Sequence, residues 1–157
     1  MKKIIKVLGS VYILILIMFL FLPIGGRTSL DAYGIKVFSL DHLRFVNYIP
    51  LYSLVSYYRK LVLGTIEPKI VIANILVNVF MFVPLALYFI YKFHFKMWSV
   101  KTLVLLMVCS FLVESIQFLS LMGAVDIDDV ILNSLGGYVI SNLICIIHEY
   151  IYRYRMR

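Results

Sequence analysis

Three sets of carboxylates and amides in this sequence have the spacing to act together, and all lie in apolar surroundings. Glu114 and Gln117 are three residues apart, which puts both on one face of a helix. Asn74 and Asn78 are four apart, with the same result. Asp126-Ile127-Asp128-Asp129 is followed by Asn133, four residues after Asp129, so these two share a face as well. Such groups offer donors and acceptors to the polar head of a ligand, and a carboxylate shielded from water can serve as a general base. Glu114 and Asp129 are the candidates for catalytic work. Asp126, Asp128 and Asp129 are weaker candidates for holding Mg²⁺ or Ca²⁺, hard cations that take oxygen ligands. No HExxH, GxSxG, P-loop or GxGxxG motif occurs, and no zinc site is expected. Cys109 and Cys145 lie 36 residues apart in apolar runs and form neither a disulfide framework nor a CxxC site.

Each set also has a structural reading. Aspartate is a favoured N-cap and suits the positive end of a helix, so one acid of the 126–129 block is expected to cap. Asn74 and Asn78 equally suit hydrogen bonds between membrane helices. Glu114 with Gln117 is the pair that such roles explain least, because a carboxylate inside a membrane helix is expensive.

The elements that position these residues follow from composition. Of 157 residues, 63% are hydrophobic and only 15% charged, with a mean hydropathy of +0.99. Soluble domains are roughly 45–50% apolar and about a quarter charged. A water-soluble domain and a disordered chain are both excluded. Lys6 and Arg27 enclose twenty residues without a charge, Lys69 and Lys92 twenty-two, and Asp129 and Glu149 nineteen. Between Lys101 and Asp126 lie twenty-four residues with one charge, Glu114. A bilayer core takes roughly 17–25 apolar residues in a helix. The expectation is a single all-α domain over 1–157: an integral membrane four-helix bundle with spans near 5–23, 70–91, 101–121 and 129–150. The first span follows a basic n-region, but Leu22-Pro23-Ile24-Gly25-Gly26 is a poor cleavage site, so it is read as a retained helix.

Within the outer segment 24–69, Leu51, Leu54, Val55, Tyr58, Leu61 and Val62 mix with Arg59 and Lys60 at a spacing that fits an amphipathic helix in the headgroup layer. A surface loop packed on the bundle is the alternative. Pro84 is expected to kink the second span. Gly137 and Ser141 form a small-xxx-small pair suited to close helix packing.

Charge supplies the topology. Lys2, Lys3, Lys6, Lys92, Lys96, Lys101, Arg153, Arg155 and Arg157 are nine of the fifteen cations, and they fall in three short segments on one side of four alternating helices. The positive-inside rule makes that side cytoplasmic, with both termini there, in a multi-pass protein of the cell membrane. The net charge of +7 is therefore an orientation signal, and no nucleic-acid partner is expected. The three polar sets then share a depth near the outer ends of their helices, while the inner half of each helix reads as nearly all aliphatic or aromatic.

Four blocks of this chain resemble the VanZ-like family. They are Arg44-Phe-Val-Asn47-Tyr-Ile-Pro50, Asn74-Ile-Leu-Val-Asn78-Val-Phe-Met-Phe-Val-Pro84-Leu85, Glu114-Ser-Ile-Gln117-Phe118, and Asp126-Ile-Asp128-Asp129-Val-Ile-Leu-Asn133-Ser-Leu-Gly136-Gly137. The resemblance covers about residues 40–145. Two departures stand out: Ala86 where the family often has glycine, and Gly123-Ala124-Val125 where many members carry an arginine before the acidic block. The resemblance implies a small integral membrane protein of the bacterial envelope, in a family whose name-giving member is linked to teicoplanin resistance.

Together these readings lead to a non-enzymatic envelope protein. It binds a lipid headgroup, a lipid-linked wall intermediate or an amphiphilic antibiotic through Asn74, Asn78, Glu114, Gln117, Asp128, Asp129 and Asn133, with Arg44 receiving phosphate charge. The lipid bilayer is its first partner, an oligomer is compatible, and no cofactor is required. The alternative is a membrane hydrolase or transferase acting on a lipid-linked substrate, with Glu114 as general base and an acidic Mg²⁺ or Ca²⁺ site. A transporter or proton pathway ranks last, because the helix interiors read as dry.

Overall fold

A computed structural model of the chain describes residues 46–120 and 125–155, together with Tyr12. The expected first span at 5–23, the outer segment up to residue 45 and Arg44 lie outside the described residues. Among the described residues five helices follow one another: α1 (Tyr52–Val62), α2 (Pro68–Met81), α3 (Val83–Phe93), α4 (Val100–Leu119) and α5 (Ile127–Arg155). The described residues contain no strand, only an isolated parallel bridge between Asn47 and Asp126. The protein is all-α.

Among the described residues three stretches are long and apolar enough to cross a membrane: Pro68–Phe93, Val100–Leu119 and Ile127–Arg155. At ~1.5 Å per residue even the 20-residue α4 matches the ~30 Å of a bilayer core. The first of the three is α2 and α3 in succession, broken at Phe82. Pro84 stands in the first turn of α3 and has no N–H to offer the carbonyl four residues back. The ladder resumes when Ala86 N–H donates to the Phe82 carbonyl at 2.9 Å. The last span runs five residues past its expected end at 150. An i,i+4 ion pair between Glu149 and Arg153 supports those added turns.

What is buried explains why these helices need lipid. Among the described residues eleven polar or charged side chains are buried, against eight apolar ones. Along α4 the buried face is Thr102, Leu106, Ser110, Val113, Glu114 and Gln117, at steps of three and four, while Val104, Val108, Phe111, Leu112 and Ile116 are exposed. A soluble protein shows the opposite arrangement. In a membrane the apolar side chains face lipid and the polar ones turn inward. The chain is a multi-pass membrane protein.

Tertiary contacts divide the chain into two compact units. One comprises Met1–Asn74 and Leu112–Asp128; the other comprises Ile75–Phe111 and Asp129–Arg157. The first contains α1 and the ends of α2 and α4. No residue of α1 is buried, and its exposed side chains include Tyr52, Val55, Tyr58 and Val62 beside Arg59 and Lys60. This is the amphipathic helix expected within 48–63. It ends in a Schellman turn, with Thr65 N–H on the Lys60 carbonyl at 2.9 Å and Gly64 N–H on the Leu61 carbonyl at 3.1 Å. Gly64 takes the positive φ of +67° that this turn requires.

The second unit is held by a close crossing of α2 and α5. A Cβ added at Gly136 would lie 2.5 Å from the Val79 carbonyl oxygen, and one at Gly137 would lie 3.0 Å from Phe82. The sequence pointed to Gly137 and Ser141 as the packing pair; the tightest approach is one residue earlier. At the other end of this unit Trp98 adopts a left-handed φ of +58°. Its N–H donates to Asn142 Oδ1 at 2.6 Å, and its ring stands edge-on to Tyr138.

Candidate functional site

In the first unit the acidic block and the segment before α1 are tied together. Asn47 N–H donates to the Val125 carbonyl at 2.8 Å, and Ile127 N–H to the Asn47 carbonyl at 3.0 Å. Asp126 accepts the Asn47 side-chain amide at 2.9 Å and the hydroxyl of Ser53. It also accepts Asp128 N–H at 2.9 Å, two residues into α5, which makes it the N-cap of that helix. Asp128, 2% exposed, turns both oxygens to the start of α1: Oδ1 accepts Leu51 N–H at 2.5 Å and Oδ2 accepts Ser53 N–H at 2.8 Å. Leu51, the residue at the head of α1, has a left-handed φ of +66° and supplies no side-chain cap of its own. Asp128 therefore caps α1 from another part of the chain, satisfying two backbone donors that a helix start leaves open.

The same unit contains Asn74, Glu114 and Gln117. Asn74 Nδ2 donates to the Tyr57 hydroxyl of α1 at 2.8 Å. Glu114 is 1% exposed and Gln117 3%, so the three-residue spacing read from the sequence does put both on the buried face of α4. A carboxylate at this position has left water, which makes it the most demanding group among the candidates to accommodate.

The second unit contains Asn78, Asp129 and Asn133. Asn78 Nδ2 donates to Asp129 Oδ1. Asn133 Nδ2 donates to Ser110 Oγ at 3.0 Å. Asn78 Oδ1 and Asn133 Oδ1 are buried and have no hydrogen-bond partner among the described residues. Among the described residues no group of three or more His, Cys, Asp or Glu side chains is placed to hold a metal ion.

Several residues that organise these units were not singled out as chemistry in the sequence. Ser53 and Tyr57 looked like ordinary members of an amphipathic stretch, and Ser110 like one small residue of an apolar span. The reading of the inner helix halves as nearly all aliphatic or aromatic also needs correcting. Thr102, Ser110, Ser141 and Asn142 are all buried at 1% exposure or less. Their polarity is diluted in the sequence by the lipid-facing residues between them and becomes visible only when the buried face is read alone.

No curated protein and no solved structure matches this chain. The family model described as VanZ/LLP1 matches residues 9–148, nearly the whole chain and all four blocks noted above. With three apolar spans and a polar buried face across the matched region, the chain belongs to the VanZ/LLP1 family.

Proposed function

We propose that this protein is a non-enzymatic component of the bacterial cell envelope that binds the polar head of an amphiphile and thereby contributes to glycopeptide resistance of the teicoplanin type. The amphiphile is a lipid headgroup, a lipid-linked wall intermediate or an amphiphilic antibiotic. The observation that carries this reading is the burial of Glu114, at 1% exposure, inside a membrane span with Gln117 beside it. Withdrawing a carboxylate from water costs several kcal/mol, and intramembrane carboxylates mark ligand or ion sites for that reason. Glu114 and Gln117 offer acceptors and donors to hydroxyl, amide or ammonium groups. Asn74 of the same unit is bonded to Tyr57 of α1, whose exposed Tyr52, Val55 and Tyr58 suit an acyl tail and whose Arg59 and Lys60 suit a phosphate.

Orientation belongs to the same proposal. Lys92, Lys96, Lys101, Arg153 and Arg155 are exposed beyond or at the ends of the spans. On the positive-inside rule they mark the cytoplasmic side, with both termini there, and α1 then lies in the outer headgroup layer.

The test is a susceptibility profile, against glycopeptides and other envelope-active compounds, of a strain lacking the gene and complemented with wild type or Glu114→Gln. The expected outcome is that Glu114→Gln matches the uncomplemented strain at unchanged membrane abundance. Wild-type susceptibility in that variant would overturn the proposal.

A further inference from the structure

α1 turns apolar side chains both ways. Ser53, Leu54, Tyr57 and Leu61 are half-buried, whereas Tyr52, Val55, Tyr58 and Val62, at steps of three and four, are all exposed. A helix on a water-facing surface presents the reverse, a polar outer face. The segment before it repeats the pattern: Tyr48, 77% exposed, Ile49 and Leu51 stand outward. Their exposure is built in, because the chain is fastened on both sides of them. Asn47 is held by Val125 and Ile127, and the Leu51 and Ser53 N–H groups are held by Asp128.

The fastening also sets the depth. Asp126 and Asp128 stand at the head of α5, and Asn74, bonded to Tyr57, is in the second turn of α2. α1 therefore lies where two membrane spans begin, at the border of hydrocarbon and headgroups. Tyrosine rings, apolar with a polar tip, suit that border. From Tyr48 to Ile66 no acid occurs, and the charges are Arg59 and Lys60, both exposed in the last turn of α1.

We propose that α1 binds the anionic phospholipids of the surrounding bilayer. Arg59 and Lys60 take lipid phosphate while Val55, Tyr58 and Val62 enter the acyl boundary. The face lies at the bilayer's own border, where lipid reaches it without any further molecule, and the sign of its charge selects negative headgroups. The proposal rests on the placement of α1 in the headgroup layer given above and adds the class of lipid.

The full chain is reconstituted in nanodiscs of phosphatidylcholine with or without phosphatidylglycerol, and amide hydrogen exchange is read over Tyr52–Val62. The expected result is slower exchange with phosphatidylglycerol, by about ten-fold at low salt for two cations at an anionic surface, and a smaller difference at high salt. Arg59→Gln with Lys60→Gln abolishes the difference, and exchange over Val100–Leu119 stays the same throughout. Equal exchange in the two membranes, a difference indifferent to salt, or one that survives the double variant would overturn the proposal. A difference that follows the number of copies per disc, and not the lipid, would assign the face to a second copy and overturn it too. The underlying placement is judged separately by Val55→Ser with Val62→Ser, a change nearly neutral in helix propensity. In the headgroup layer this variant exchanges faster in both membranes; an unchanged rate would overturn the placement and the proposal with it.

Discussion

Asp128 accepts the backbone N–H of Ser53 at 2.8 Å, across 75 residues of sequence. Its other oxygen takes Leu51 N–H, so one carboxylate closes the first turn of α1. Losing a cap costs about 1–2 kcal/mol, and here two donors lose their acceptor at once. Asp128→Ala should therefore speed hydrogen exchange at Leu51 and Ser53 by roughly five- to thirty-fold, with Asp128→Asn intermediate because it retains one acceptor oxygen. Exchange at wild-type rates in Asp128→Ala would remove the capping account.

Gly136 admits the Val79 backbone to a distance no side chain tolerates, since an added Cβ would meet the carbonyl oxygen at 2.5 Å and Cα at 2.6 Å. Backbone cannot rotate away as a side-chain tip does. Gly136→Ala is expected to cost about 1–3 kcal/mol of overpacking, which for a chain of this size lowers Tm by several degrees. Gly137→Ala, whose nearest atoms lie at 3.0 Å, should cost less. Thermal unfolding of both variants in one detergent ranks them, and a reversed order would show that the crossing can relax.

Asn142 is buried and holds Trp98 through its backbone N–H while donating to the Tyr138 carbonyl at 2.7 Å. Trp98 is the chain's single tryptophan, so its fluorescence reports this turn alone. Asn142→Ala removes the acceptor that holds a left-handed residue in place, a loss of about 1 kcal/mol. The expected reading is lower emission anisotropy and a changed emission maximum. An unchanged spectrum and anisotropy would mean that the edge-on contact with Tyr138 suffices.

Much of the fold is legible in the sequence because lipid is a solvent that acts on each segment separately. Charge-poor runs bounded by charged residues place the spans from Pro68 onward to within about five residues of their observed ends. Pro84 marks the break at Phe82, since a missing N–H is a local defect wherever the helix goes. The amphipathic α1 shows in its mixture of Tyr, Leu and basic residues. Glu114 and Gln117 could be assigned to a buried face because a charge in a membrane helix has nowhere else to go.

Pairing was a different matter. Four acids and four amides at helical spacing look interchangeable in sequence, yet their tasks differ. Asp126 caps its own helix, Asp128 caps α1, and Asp129 holds Asn78. The choice between Gly136 and Gly137 as the point of closest approach, and the engagement of Asn142 with Trp98, were equally hidden. Sequence by itself determined which segments enter the membrane and which faces turn from lipid, since hydrophobicity and helical period are properties of consecutive residues. Only the tertiary structure decided which donor meets which acceptor, because hydrogen bonds are short and directional and side-chain partners come from segments as many as 79 residues apart.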